Sequence, residues 1–214
     1  MEDVLDLYEA PYDPQRPKVC LDEKPVVLRS ETRPAHPAVP GPDGHPQRRD
    51  CEYVREGTAN LFVLVEPQTG WRHVAVTEQR TYVDYAAQLR YLADEVYPDA
   101  EVIRIVQDNL NTHGPHALYA AFPPEEAQRL RQRFEFHPTP KHGSWLNMAE
   151  IEISIFERGC LARPVPDLAT LRSGVAAVEV KRNAARATFH WQFTSQQARL
   201  KLPHLYPTLQ TKPD

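Results

Sequence analysis

The chain has 214 residues, of which 41% are hydrophobic and 25% are charged. This size and balance are typical of one folded globular domain and exclude a disordered or collagen-like chain. The formal net charge of −4 argues against a uniformly basic nucleic-acid binder. The charge is unevenly distributed, because residues 151–214 carry 9 Lys or Arg and 5 Asp or Glu, a net charge of +4, which leaves a net charge of −8 for residues 1–150.

The sequence predicts neither a membrane segment nor a leader peptide. No apolar run approaches the roughly 20 residues that a membrane helix needs, and Met1 is followed by the acidic residues Glu2 and Asp3. The three cysteines, Cys20, Cys51 and Cys160, are too widely spaced for a disulfide framework or for zinc-binding pairs. We therefore expect a cytoplasmic protein with reduced thiols.

The first part of the chain predicts a short helix at 3–8, a linker to residue 16 and a strand at 18–22. Pro25 limits the length of this strand, because proline cannot donate to the hydrogen-bond ladder of a sheet. Residues 33–50 contain five prolines and predict a long irregular loop. Loops of this length are either functional or unstructured.

From residue 59 onwards the hydrophobic pattern predicts alternating strands and helices. The continuous apolar run at 59–65 and the segment 71–77 form a hairpin. Apolar residues at helical spacing follow Thr81, a candidate helix N-cap. The remaining predicted elements are a helix at 82–97, a strand at 102–106, helices at 115–122 and 125–133, a strand at 134–136, a helix from 145 to about 160, and a last helix from Asp167 to about 186.

This order of elements predicts an α/β protein with a mixed five-stranded sheet and helices on both faces. Three strands followed by αβαβα form the order of the ribonuclease H-like fold, although such alternation also suits other α/β folds. We predict an N-terminal linker and short helix at 1–16, a core at 17–165, and a helical, basic extension of the same domain at 166–214.

Several acidic residues lie where the predicted strands and helices would expose them. Asp22 ends the first strand, Asp108 follows a later strand, and Glu150 and Glu152 lie in the helix that starts near residue 145. Converging carboxylates repel one another, and a Mg²⁺ or Mn²⁺ ion with oxygen ligands relieves that repulsion. A lone aspartate at a strand end is more often a turn former. Glu150 and Glu152 flank the apolar stripe at comparable angles of about 70–90°, so helical periodicity does not decide which of them would be the third ligand of a metal site.

Four segments of the chain, in this order, resemble one protein family. They are VCLDEKP, GTANLFVLVEP, VQDNLNTH and HPTPKHGSWLNMAEIEISIF. The sequence resembles the DDE transposases of bacterial insertion sequences, in the insertion-sequence-630 group of the mariner-type superfamily, from about residue 8 to residue 207. The most specific features are a strand that ends in Asp-Asn and a Leu-Asn-x-x-Glu segment that opens a helix.

The resemblance implies that Asp22, Asp108 and Glu150 are the catalytic, metal-binding triad and hold two Mg²⁺ or Mn²⁺ ions. It selects Glu150 over Glu152 because Leu146-Asn147-Met148-Ala149-Glu150 matches the family's Leu-Asn-Pro-x-Glu. Residues beside the triad are expected to orient its carboxylates, and basic residues are expected to contact DNA. The orienting residues are Asn109, Asn147 and His113, and the DNA-contact candidates are Lys141, His142, Arg48, Arg49 and Arg182. Strand-end and helix-start asparagines, and a solvated helix face, are the simpler interpretations of several of these residues.

The implied function is metal-dependent DNA strand cleavage and strand transfer in the transposition of an insertion sequence, in a bacterial cytoplasm at the nucleoid. The implied partners are double-stranded DNA at the element's ends and at a TA target, and a second copy of the chain on that DNA. The loop at 33–50 has the position of the family's clamp loop, which contacts the partner subunit.

The sequence departs from the family in three respects. Met148 replaces the usual proline, 41 residues separate Asp108 from Glu150, and no helix-turn-helix region fits before Asp22. The chain therefore looks like a catalytic half: the product of a split reading frame with a separately encoded helix-turn-helix half, of a decayed copy or of a truncated gene. Two alternatives remain: a non-catalytic or domesticated remnant that keeps the fold, and a stand-alone structure-selective nuclease.

Overall fold

A computed structural model describes residues 1–34, 36–41, 44–47 and 52–206 of the chain. In this part of the chain the strands are β1 (Lys18–Glu31), β2 (Tyr53–Glu66), β3 (Trp71–Thr77), β4 (Ile103–Gln107) and β5 (Phe134–Pro138). The helices are α1 (Glu2–Glu9), α2 (Tyr82–Tyr91), α3 (Pro115–Ala121), α4 (Pro124–Arg131), α5 (Ala149–Arg158), α6 (Leu168–Ala184) and α7 (Ser195–Lys201). A π-helical turn at Leu92–Val96 continues α2, and short 3₁₀ turns lie at Ser144–Leu146 and Pro203–Leu205.

The five strands form one mixed sheet in the order β3-β2-β1-β4-β5. β1 and β3 each pair antiparallel with β2, whereas β4 pairs in parallel with both β1 and β5. This is the mixed five-stranded sheet that the sequence predicts. The central position of β1 matters for the site, because β1 contacts the antiparallel half of the sheet on one side and the parallel half on the other.

Helices cover both faces of the sheet, because neighbouring residues of a strand point to opposite faces. On one face, Leu21 and Phe62 pack with buried residues of α2, α3 and α4. On the other face, Leu61 packs with residues of α5 and α6, and Cys20 and Val106 pack with residues of α1, α5 and α7. Each large apolar side chain removed from water in this way stabilises the fold by about 1.5–3 kcal/mol.

The first strand is longer than the sequence predicts, and Pro25 lies inside it. β4 pairs with β1 only at Lys18–Cys20, whereas β2 pairs with β1 from Cys20 to Glu31. Beyond Cys20, β1 therefore has a single neighbouring strand in the described part of the chain. Proline is tolerated at such an edge, because a missing N–H group there removes no ladder bond. The predicted end of this strand at residue 22 is wrong for this reason.

The helix predicted from residue 145 also begins later. Trp145 lies in a 3₁₀ turn, Asn147 has an extended backbone, and α5 starts at Ala149. The side-chain oxygen of Asn147 accepts a hydrogen bond from the backbone N–H of Ala149 at 3.2 Å. Asparagine often interrupts a helix in this way, because its side chain replaces a backbone partner. Glu150 consequently lies in the first turn of α5.

Two predicted helix starts are confirmed. Thr81 and Asp84 form a capping box at the start of α2, and Asp167 accepts a hydrogen bond from Thr170 at the start of α6. Cys20 and Cys160 are free thiols. Within the described residues, no helix combines the length and the apolar character that crossing a membrane requires.

The predicted loop at 33–50 lies only partly within the described residues. There, Val39 and His45 form an isolated antiparallel bridge. The DNA-contact candidates Arg48 and Arg49 lie outside the described residues, so their role stays a prediction.

Candidate active site

The sheet brings Asp22 and Asp108 to neighbouring strands. β1 and β4 run parallel, and their last paired residues are Cys20 and Val106. Asp22 and Asp108 each lie two residues after these last paired residues, Asp22 within β1 and Asp108 just beyond the end of β4. Asp22 is only 8% exposed, and Asp108 is partly exposed. Both residues therefore lie near the end at which the parallel pairing of β1 with β4 stops.

Asn147 fixes the start of α5 against this end of β1. Its side-chain amide donates hydrogen bonds to the main-chain oxygen of Leu21 at 2.8 Å and to the carboxylate of Asp22 at 3.2 Å. The residue is 1% exposed, so these bonds form away from water. α5 then presents the exposed side chain of Glu150 in its first turn, on the Asp22 side of the helix start.

The charges of Asp108 and Glu150 act on Asp22. Burial, together with the nearby negative charges of Glu150, Asp108 and Glu23, raises the pKa of Asp22 to about 7. The backbone N–H of Glu23 donates to Asp22 at 2.8 Å and opposes this shift. Asp108 and Glu150 therefore lie close enough to Asp22 for their charges to act on it, although the three residues come from separate parts of the chain.

His113 lies between Asp108 and a residue that sequence reasoning missed, Glu23. One ring nitrogen, Nδ1, is 2.7 Å from the Asp108 carboxylate, and the other, Nε2, is 2.5 Å from the Glu23 carboxylate. Burial opposes the positive charge of His113, but the hydrogen bonds to the two carboxylates outweigh it and raise its pKa to about 9. The same contact with His113 lowers the pKa of Asp108.

Glu23 was missed because sequence reasoning treated its neighbour Asp22 as the only functional acid of the first strand. The signal that could have found it is strand alternation. Glu23 points to the same face of the sheet as Val19 and Leu21, which pack against α2 and α3. A carboxylate that is buried at this position requires a partner. The histidine at the end of VQDNLNTH is that partner.

Glu152, the alternative to Glu150, has a different environment. Its side chain is fully buried, receives two hydrogen bonds from Arg182 at 2.6 and 2.8 Å, and lies 3.1 Å from Nε of the buried Arg72. Glu152 therefore joins α5 to β3 and α6 through two ion pairs. Arg182, a predicted DNA-contact residue, is bound within the fold by Glu152, and its contact with DNA stays a prediction.

A shallow groove of about 500 Å³ opens beside Asp108. Its lining includes Asn109, Lys141 and His142, which are all exposed. The groove is large enough for a phosphate group, and Lys141 places a positive charge in its lining, on which Asp108 also lies. Asn109 directly follows Asp108 in the chain, and its orienting role stays a prediction.

The side chains of the three predicted metal ligands suit a hard divalent cation. Asp22, Asp108 and Glu150 offer only carboxylate oxygens, which are the ligands that Mg²⁺ and Mn²⁺ prefer. A cation at Asp22 would also remove the repulsion that helps raise the pKa of this buried group.

Residues 17–172 match the family model described as DDE superfamily endonuclease. The match covers most of the chain, and the chain belongs to this family. None of the curated proteins compared with the sequence matches it.

The fold is similar to that of solved structures of the Mos1 mariner transposase. The paired end complex with Mn matches with a TM-score of 0.52 and 16% identity, over 86% of this chain and 55% of that chain. The strand transfer complex matches with a TM-score of 0.51 and 13% identity, over 87% of this chain and 59% of that chain. A pre-cleavage transpososome matches with a TM-score of 0.51 and 17% identity, over 86% of this chain and 58% of that chain. The chain thus spans less than two thirds of the Mos1 chains. At these identities the likeness shows the fold, and it confirms the predicted ribonuclease H-like α/β class.

Proposed function

We propose that the chain is the catalytic domain of a transposase of the insertion-sequence-630 group. It would cleave DNA strands and transfer them during the transposition of an insertion sequence. The observation that supports this most directly is that the negative charges of Asp108 and Glu150 lie near enough to Asp22 to help raise its pKa, in a chain of the DDE superfamily endonucleases.

In this proposal Asp22, Asp108 and Glu150 would together hold the two ions. Two Mg²⁺ or Mn²⁺ ions, when bound, stabilise the attacking and the leaving oxygen of an in-line displacement at phosphorus. Asn147 keeps the Asp22 carboxylate in place through its amide hydrogen bond, and His113 does the same for Asp108. Lys141 and His142 line the groove beside Asp108 and would contact the phosphate backbone.

The substrate in this proposal is double-stranded DNA. The similar Mos1 structures are a paired end complex, a strand transfer complex and a pre-cleavage transpososome. By analogy we propose that this chain acts on the ends of its element and on a TA target, as two copies on DNA, in the bacterial cytoplasm at the nucleoid. TA steps deform easily, which favours their distortion at an insertion site. A separately encoded helix-turn-helix half would recognise the element's ends.

The test is nicking of a supercoiled plasmid by the full chain. We expect nicked product with Mg²⁺ or Mn²⁺ and none with a chelator. Asp22→Asn, Asp108→Asn and Glu150→Gln should each reduce nicking to background, because each removes a ligand oxygen charge. Glu125→Gln, on the exposed surface of α4, is the matched control and should nick as the unaltered chain does. Nicking that survives Asp108→Asn would contradict the proposal.

A second measurement separates a transposase from a nuclease of the same fold. An oligonucleotide with a free 3′-hydroxyl end is supplied together with the plasmid. A transposase joins the oligonucleotide to the plasmid, because the 3′-hydroxyl replaces water as the attacking group. Nicked plasmid without joined product would favour the stand-alone nuclease.

A further inference from the structure

Glu23 and His113 form a buried pair beside Asp108. Their side chains are 2% and 1% exposed, and Nε2 of His113 lies 2.5 Å from the Glu23 carboxylate. The Tyr85 ring stacks on the imidazole with centroids 4.6 Å apart, and the Tyr85 hydroxyl donates to Gln107, the last residue of β4. The imidazole is therefore held by a carboxylate at one edge and by an aromatic ring on one face.

The remaining ring nitrogen of His113 faces Asp108. Nδ1 lies 2.7 Å from the Asp108 carboxylate and 3.3 Å from the Asp108 main-chain oxygen. Asp108 follows the end of β4 and has a partly exposed side chain. A carboxylate at such a position can turn into solvent unless another group holds it.

The three residues have ligand atoms that all lie within 4.8 Å of one another, which is close enough to hold a metal ion. The arrangement of the imidazole argues for hydrogen bonds instead. The two nitrogens of the ring point in different directions, and each faces its own carboxylate. One ion cannot replace both contacts without displacing the ring, whereas hydrogen atoms on the two nitrogens satisfy both.

We propose that Glu23 is a positioning residue that acts through His113. Glu23 fixes the imidazole so that its Nδ1–H donates to Asp108 and holds this carboxylate in place for a divalent cation. The inference rests on the proposed function, because it assigns Asp108 to metal binding. Groups that hydrogen-bond to a metal ligand typically change metal affinity by about 10–100-fold when they are removed.

The test measures the affinity of the full chain for Mn²⁺ by the electron paramagnetic resonance signal of the free ion. Glu23→Leu removes the partner of Nε2, and we expect Mn²⁺ affinity to fall by about 10–100-fold. Glu23→Gln keeps a hydrogen-bonding group against Nε2, so the Nδ1–H stays directed at Asp108 and the affinity should remain close to that of the unaltered chain. Glu125→Leu is the matched control on the exposed surface of α4.

Two results would overturn the inference. Unchanged Mn²⁺ affinity in Glu23→Leu would mean that the pair does not position Asp108. Equal losses in Glu23→Leu and Glu23→Gln would mean that the charge of Glu23 itself binds the ion. The variant Asp108→Asn separates these results from a failure of the proposed function: if it binds Mn²⁺ as tightly as the unaltered chain, Asp108 is not a ligand at all.

A measurement on the unaltered chain keeps the inference testable if Glu23→Leu does not fold. The side-chain ¹⁵N resonances of His113 report which ring nitrogens carry hydrogen. We expect hydrogen on Nδ1 without metal, and we expect it to remain after addition of Mg²⁺. Loss of this hydrogen on addition of Mg²⁺ would show that the imidazole binds the ion directly and would overturn the inference.

Discussion

Glu150 and Glu152 lie two residues apart on α5 and have opposite environments. Glu150 is exposed and its charge acts on Asp22, whereas Glu152 is buried between Arg72 and Arg182. The helical period alone could not separate them, because both flank the apolar stripe at comparable angles. The deciding partners of Glu152 come from β3 and α6, and no local pattern in the sequence reveals such distant contacts.

Glu152→Gln is expected to destabilise the fold without removing a residue of the proposed metal site. It leaves the buried charge of Arg72 without its carboxylate, and breaking a buried pair in this way costs about 3–5 kcal/mol. Glu150→Gln alters an exposed side chain and should change the free energy of unfolding by no more than about 0.5 kcal/mol. Urea denaturation of both variants measures the difference, and equal stability of the two would contradict this assignment.

Asp22 and Asp108 are expected to respond in opposite directions when each is neutralised. If the three carboxylates only repelled one another, Asp108→Asn would leave stability unchanged or raise it. The structure predicts a loss, because Asp108 is paired with His113. Asp22→Asn should instead raise stability at neutral pH, because burial and neighbouring charges disfavour the ionised form of Asp22. Thermal unfolding in a chelator tests both, and a higher melting temperature for Asp108→Asn would contradict the pairing.

At the scale of whole elements, the hydrophobic period and the capping residues predicted which elements form. The positions at which β1 ends and α5 begins were predicted poorly. Thr81 and Asp167 mark the starts of α2 and α6, because capping is a local interaction. The length of β1 and the start of α5 depend on non-local contacts. β4 leaves one edge of β1 open near Pro25, and Asn147 binds the main chain of β1 instead of continuing a helix.

Lys18 joins β1 to α1 and is expected to make stability depend on pH. Its side-chain ammonium is buried and donates to the main-chain oxygens of Leu7 and Ala10. Burial, with a smaller contribution from the charge of Arg104, lowers the pKa of Lys18 from 10.5 to about 8. Between these two pH values the unfolded chain binds more protons than the folded chain, so the contribution of Lys18 to the free energy of unfolding rises with pH.

The variant Lys18→Met isolates this effect, because methionine keeps an unbranched side chain and does not titrate. The free energy of unfolding of the unaltered chain, minus that of Lys18→Met, should increase from about pH 8 to about pH 10.5. Urea denaturation at several pH values gives this difference. A difference that stays constant or falls over this range would contradict the lowered pKa.

At the scale of the whole molecule, the sequence was sufficient for the fold class and insufficient for the assembly of the site. Five strands and the helices on both faces follow from local patterns. Which strands lie side by side is decided by long-range packing, and the parallel pairing of β1 with β4 is what brings together the segments that carry Asp22 and Asp108. The resemblance to a transposase family supplied the proposed triad, but it did not indicate that Glu23 and His113 form a buried pair beside Asp108.

The central claim is that Asp22, Asp108 and Glu150 bind divalent cations together. Crystals of the full chain soaked in Mn²⁺ test it most directly, because the anomalous signal locates each ion without reference to activity. We predict anomalous peaks at ligand distance from the Asp22 carboxylate, with Asp108 and Glu150 each contacting one of the ions. Ordered side chains with no peak beside Asp22, or peaks confined to other acidic residues, would contradict the claim.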